Sequence, residues 1–145
     1  MIIRQLKTVV VQESPAEYVT SDDASIIYKF WKNEIEKQPV FNPMKEHVAV
    51  FLLDIKLKII GWELVSIGNL SSSIVTPREV FSLAVRESAY GIILAHNHPS
   101  GDASPSGSDK CLRERMAECG KLLGIPLIDF IIIGESYFSF DLAGL

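Results

Sequence analysis

The stretch AHNHPSGDASPSGSD, Ala95–Asp109, gathers residues that can do chemistry. The chain has three histidines, His47, His96 and His98, and two of them stand one residue apart here, closing the apolar run GIILA. Side chains alternate along a strand, so residues two apart project to one side. His96 and His98 are therefore expected to offer two nitrogens to one metal ion. Asp109 falls in the first turn of the following helix, where the helix dipole favours a carboxylate. The prolines, serines and glycines in between let the chain fold back and bring that acid to the imidazoles. Two His and one Asp make three protein ligands. Zinc takes four, and a catalytic site leaves the fourth to water, whose pKa falls to about 7.

Such a site needs a base. Glu63 is the only charge in IIGWELVSI. Both faces of that strand are apolar, which predicts burial on both sides, and burial would raise the carboxyl toward the range useful for proton transfer. The alternative is a surface position at a sheet edge. Ser106 has two readings. It can cap the helix, with Asp109 three residues on as its capping-box partner, or it can serve the site. Asp102 suits a turn, and His47, at a strand end, is read as structural.

The elements that must position these residues follow from pattern. IIRQLKTVVV (2–11) reads as an opening strand. A helix is expected over about 22–38, with Ile26, Ile27, Phe30, Trp31 and Ile35 on its apolar face, Ser21 or Asp22 as cap and Pro39 beyond its end. HVAVFLLD and KIIGWELVSIGNL form an antiparallel hairpin. Thr76, Pro77 and Glu79 spell a capping box with proline at the first helical position, opening a helix to about Ser88. GIILAHN is apolar without alternation, as in a central strand. A helix from about Ser106 to Leu123 ends at Gly124, and IPLIDFIIIG and SYFSFDL are the last two strands, turning at Gly134–Glu135. The order β-α-β-β-α-β-α-β-β predicts a mixed α/β sandwich in one domain spanning 1–145.

Bulk properties narrow the function. A length of 145 residues with 48% hydrophobic and 22% charged residues suits one folded domain with one core. No apolar run reaches the length of a membrane span and no signal-peptide pattern opens the chain, so the expected location is cytoplasmic. A net charge of −4 argues against an electrostatic nucleic-acid binder. Arg113, Arg115 and Lys121 alternate with Glu114 and Glu118, as on a solvated helix face. Cys111 and Cys119, eight residues apart on one helix, stand about 12 Å apart, too far for a disulfide. They are expected to be reduced thiols on its packed side.

HNHPSGDASPSGSD resembles the JAMM metalloprotease signature, His-x-His, seven residues, Ser, two residues, Asp, with His96, His98, Ser106 and Asp109 matching in full. With TPREVFSLAV before it and GIPLIDFIIIG after it, the chain resembles the RadC branch of the JAB/MPN superfamily, from roughly Pro43 onward. The resemblance implies a JAB/MPN fold similar to cytidine deaminase, a mixed sheet flanked by helices. It implies one zinc ion on His96, His98 and Asp109, Glu63 as general base, and Ser106 as donor to a tetrahedral oxyanion. Those two roles of Ser106 are read as competing for one side chain. The activity implied is hydrolysis of an amide bond in a peptide or a ubiquitin-like protein. The alternatives are a DNA-repair-associated or mobile-element accessory protein and a non-catalytic interaction module. Longer members carry a helix-hairpin-helix region ahead of this domain that is not found here, and relatives often have Asp-His where this chain has Asp129-Phe130. Oligomeric state is not set by the sequence.

Overall fold

The computed structural model describes residues 1–10, 23–68 and 75–145. The expected caps Ser21 and Asp22, the last residue of the opening strand, and the end of the second hairpin strand lie outside them. The elements are α1 (Ala24–Phe30), running on into a π-helical turn Trp31–Ile35, then β1 (Glu46–Leu53), β2 (Ile59–Gly68), α2 (Pro77–Arg86), β3 (Gly91–Asn97), α3 (Gly107–Leu123), β4 (Leu127–Ile133) and β5 (Tyr137–Ser139).

The five strands form one mixed sheet in the order β2-β1-β3-β4-β5. β1 pairs antiparallel with β2 and with β3, β3 pairs parallel with β4, and β4 antiparallel with β5. The parallel pair requires a crossover, and α3 supplies it. Strand alternation splits the core in two. Val48, Val50, Leu52, Ile92, Leu94, Phe130 and Ile132 pack on one face beneath α2 and α3, with Val80, Phe81 and Met116. Ala49, Phe51, Leu53, Ile93, Ala95, Ile131 and Ile133 pack on the other beneath α1, with Ile27, Trp31 and Ile35. β1 and β3 are covered on both faces, which is why GIILAHN lacks polar alternation.

Local signals set the helix ends. Thr76 Oγ1 accepts from Glu79 N and the Glu79 carboxylate accepts from Thr76 N, so the expected capping box forms. Gly124 closes α3 at φ 72°, a left-handed conformation that glycine adopts without a Cβ penalty. The first helix departs from the single helix expected. Ile27, Trp31 and Ile35 are spaced by four, and a regular helix would carry that line off the sheet. The bond from Glu36 N to Trp31 O, at 3.0 Å, widens the turn and holds Trp31 and Ile35 against it.

Three expectations are corrected. Residues 2–10 form no strand; Ile2, Ile3, Leu6, Val9 and Val10 are exposed. Their β propensity has no ladder to join, and their apolar residues do not alternate, so neither face of the segment is apolar throughout. β2 is not buried on both sides. Among the described residues it pairs only with β1, and Glu63 in its middle is exposed. Its mixed apolar residues cover the rim of a sheet edge. Finally, only one of the two thiols is on the packed side of α3: Cys119 is half-buried against the core, whereas Cys111 is exposed.

Candidate metal centre

The candidate metal-binding residues meet at the carboxyl end of β3, a usual binding position in α/β sheets. His96 is the penultimate residue of β3 and is fully buried. His98 lies just past the strand, but its N–H still donates to Ile133 O of β4 at 2.8 Å. The strand register therefore continues through both residues, and the two rings stand on one side, centroids 4.8 Å apart. Asp109 sits in the first turn of α3, on the same face, and is 3% exposed.

The ring nitrogens of the two histidines and a carboxylate oxygen of Asp109 lie within 4.8 Å of one another. His96 Nε2 is 2.9 Å from Asp109 Oδ1, and His98 Nε2 is 3.2 Å from Asp109 Oδ2. Ligand atoms around a tetrahedral zinc, each about 2.0–2.1 Å from the ion, stand about 3.3 Å apart. His96 Nε2 is close to the carboxylate yet out of line for a hydrogen bond, so this buried nitrogen has no hydrogen-bond partner among the described residues. Groups that come close without aiming at each other fit a shared ion between them. On this geometry the donor set suits a metal ion of zinc's preferences.

Outer contacts hold two of the three. His98 Nδ1 lies 2.7 Å from Asp102 O, which fixes the Nδ1–H tautomer and leaves the Nε2 lone pair for a metal. Asp102 makes the expected turn, its Oδ1 accepting from Ser104 N at 2.9 Å, while its carbonyl serves the site. Nothing in the sequence singles out that carbonyl. Ser106 N donates to Asp109 Oδ2 at 2.6 Å, and Asp109 N donates to Ser106 Oγ at 3.1 Å, a full capping box. In this box Ser106 Oγ acts only as acceptor. Its own O–H makes no hydrogen bond among the described residues, and the side chain is exposed. The cap therefore uses the hydroxyl as an acceptor and leaves its O–H available.

The contact with Asp109 raises the His98 pKa above its ordinary value, against the opposing effect of burial. Burial pushes the Asp109 carboxyl up, but the His96 and His98 rings and the Ser106 N–H outweigh it and hold it well below the usual range. A histidine must lose its proton to bind metal. Zinc affinity is thus expected to climb with pH, by about tenfold per pH unit while His98 remains protonated, and to level off once pH passes its raised pKa. A chelator-competition titration between pH 6 and 8.5 measures this; a flat profile would contradict it. The sign for the metal-free fold is opposite. His98 stabilises it fully below the unfolded pKa of about 6.5, and that stability is lost as pH rises through the raised folded value.

Glu63 is not brought to this cluster. It pairs with Val50, which pairs with Leu94, two residues before His96, so it shares a sheet face with His96 but its backbone stands about 10 Å away across the sheet and about 7 Å along it. It lines a separate cleft of about 940 Å³ with Lys7, Ser82 and Arg86. His47 is structural as expected. Its Nε2 accepts from Asn42 N at 3.2 Å, its Nδ1 lies 3.0 Å from Lys45 O, and its backbone N donates to Asn97 Oδ1 at 2.7 Å. It anchors Asn97, the residue between the two ligands. Asp129 is likewise structural: its carboxylate accepts from Ser139 Oγ, Phe130 N and Asp141 N, and burial raises its pKa.

Among the described residues no helix is long and apolar enough to cross a membrane. The chain is similar to several curated proteins named UPF0758. That of Alkaliphilus metalliredigens is 53% identical over 96 residues, 66% of this chain and 41% of the relative. That of Rubrobacter xylanophilus is 46% identical over 106 residues, 73% and 47%. That of Methanococcoides burtonii is 49% identical over 94 residues, 65% and 41%. The matches thus span less than half of each relative's length. The family description RadC-like JAB domain matches residues 21–145, from the start of α1 through β5 and past both ligand histidines and Asp109. With the mixed sheet, the flanking helices and the His-His-Asp cluster in place, the chain belongs to the RadC-like JAB domain family.

Proposed function

We propose that this domain is a zinc-dependent hydrolase of amide bonds, a JAMM-type metallopeptidase or isopeptidase acting on a peptide or a ubiquitin-like protein. The convergence of His96 Nε2, His98 Nε2 and the Asp109 carboxylate carries the reading. These three residues would hold the ion. When bound there, zinc supplies Lewis-acid polarisation of a carbonyl oxygen.

The chain's own residues supply the rest. Asp109 stays ionised and matches the cation's charge. Asp102 O keeps His98 in the ligating tautomer. Ser106, at the N-terminus of α3, presents an O–H that can donate to the oxyanion developing on a substrate carbonyl. Glu63 is assigned as general base, taking the proton of the attacking water and passing it to the leaving amine. That role rests on the family resemblance. With β1 between its strand and that of His96, its carboxylate exchanges protons with the site through intervening water.

The test uses zinc-loaded protein and a panel of peptide and isopeptide substrates, read by mass spectrometry. Glu63→Gln is expected to keep about one zinc per chain and to lower turnover by about 10²–10⁴-fold. Full turnover in that variant would remove Glu63 from the mechanism. Absence of zinc from the unsubstituted chain would overturn the hydrolase itself.

A further inference from the structure

The two ligand imidazoles are held in different ways. His98 has its Nδ1 against a backbone carbonyl. His96 Nδ1 is buried and has no partner among the described residues. A metal-binding histidine almost always donates its second ring N–H to an acceptor, which fixes both tautomer and orientation. For His96 the neighbouring group is an aromatic ring. Phe130, on the adjacent strand β4, stacks on it at 5.2 Å between centroids and 28° between planes. Phe130 is fully buried and is itself stacked on Phe140 at 5.4 Å and 6°. The bond from Phe140 N to Phe130 O, at 3.1 Å, ties that second ring to the strand.

We propose that Phe130 is the positioning residue for His96, orienting it by ring stacking in place of a hydrogen bond, and that it thereby sets how tightly the site holds its metal. This inference rests on the metal-binding reading above. Stacking restrains the plane of an imidazole but does not choose which nitrogen carries the proton. His96 must therefore be driven into its ligating tautomer by the metal itself, whereas His98 is already in it. His98 and Asp109 also touch the His96 ring, but both are themselves residues of the metal cluster, so Phe130 is the brace that comes from outside it.

The experiment measures zinc affinity of the full chain by competition with a chromogenic chelator, beside the melting temperature of each metal-free protein. Phe130→Leu and Phe130→Met keep the volume apolar but remove the flat ring. Both are expected to fold and to bind zinc about 10–100-fold more weakly, the range that loss of an outer support costs a metal site. Phe140→Leu makes the same chemical change one ring further out and is expected to lower the melting temperature without changing zinc affinity. Zinc affinity in both Phe130 variants equal to that of the unsubstituted chain would overturn the inference and leave the metal site standing. An equal loss in Phe140→Leu would overturn it too, since general softening would then explain the effect. No zinc binding in the unsubstituted chain would defeat the metal reading and this inference with it.

Discussion

Protein carrying Asp109→Ala is expected to keep no zinc through dialysis against a weak chelator, where the unsubstituted chain keeps about one per chain. Asp109 is a ligand and also half of a capping box. Its carboxylate faces both histidine Nε2 atoms and accepts from Ser106 N. If about 10–16 kcal/mol of zinc binding is shared among four ligands, each is worth about 3 kcal/mol, a hundredfold or more in affinity. Ser106→Ala separates the two functions. It removes the hydroxyl that accepts from Asp109 N, costing about 1 kcal/mol of stability, and leaves all three ligands. It should melt a few degrees earlier and hold zinc normally. Equal loss of zinc in both variants would mean that the start of α3, rather than the carboxylate, makes the site. Acid adds a further check on the metal-free protein. The lowered Asp109 pKa stabilises the fold above about pH 3.8 and is lost as pH falls through the folded value, so Asp109→Ala should lack that component of acid unfolding.

How much of this was legible in the sequence depends on how local each cause is. His96, His98 and Asp109 were readable because a strand's period of two and a helix's first turn are properties of a few consecutive residues. The caps at Thr76 and Ser106, and the stop at Gly124, are equally local. The burial of Glu63 and the opening strand were misread for the opposite reason. IIGWELVSI is apolar enough to be central, and only the strand order puts it at the edge. IIRQLKTVV has the composition of a strand, but among the described residues no strand pairs with it. The Asp102 carbonyl and the Phe130 ring could not be assigned to the site from sequence. One is backbone, common to every residue, and the other reaches His96 only through the β3–β4 pairing. The direction of the Ser106 hydrogen bond, with Oγ as acceptor, is likewise something that spacing does not give.

Gly134→Ala is expected to disable the metal site from outside it. Gly134 lies in the turn between β4 and β5, against the loop that follows His98. A Cβ built there would stand 2.2 Å from Gly101 O, 2.8 Å from Gly101 C and 3.0 Å from Ala103 N. All three are backbone atoms, so no rotamer change relieves the contact; the loop or the turn must shift. Both are pinned. Glu135 N donates to Gly101 O at 2.8 Å, and Gly101 N donates to His98 O at 2.9 Å. Asp102, whose carbonyl fixes the His98 tautomer, is the next residue. Displacing it takes away His98's outer support, which should lower zinc affinity by at least about tenfold. Overpacking of this kind also destabilises by about 1–3 kcal/mol. Gly107→Ala is the control. It lies in the first turn of α3, where a Cβ meets nothing within 4 Å, so zinc binding should be unchanged and stability equal or slightly higher. Zinc affinity and melting temperature of both variants decide the matter. If Gly134→Ala behaves like Gly107→Ala, the β4–β5 turn does not buttress the ligand loop, and His98 owes its position to β3, the Ile133 carbonyl of β4 and Asp102.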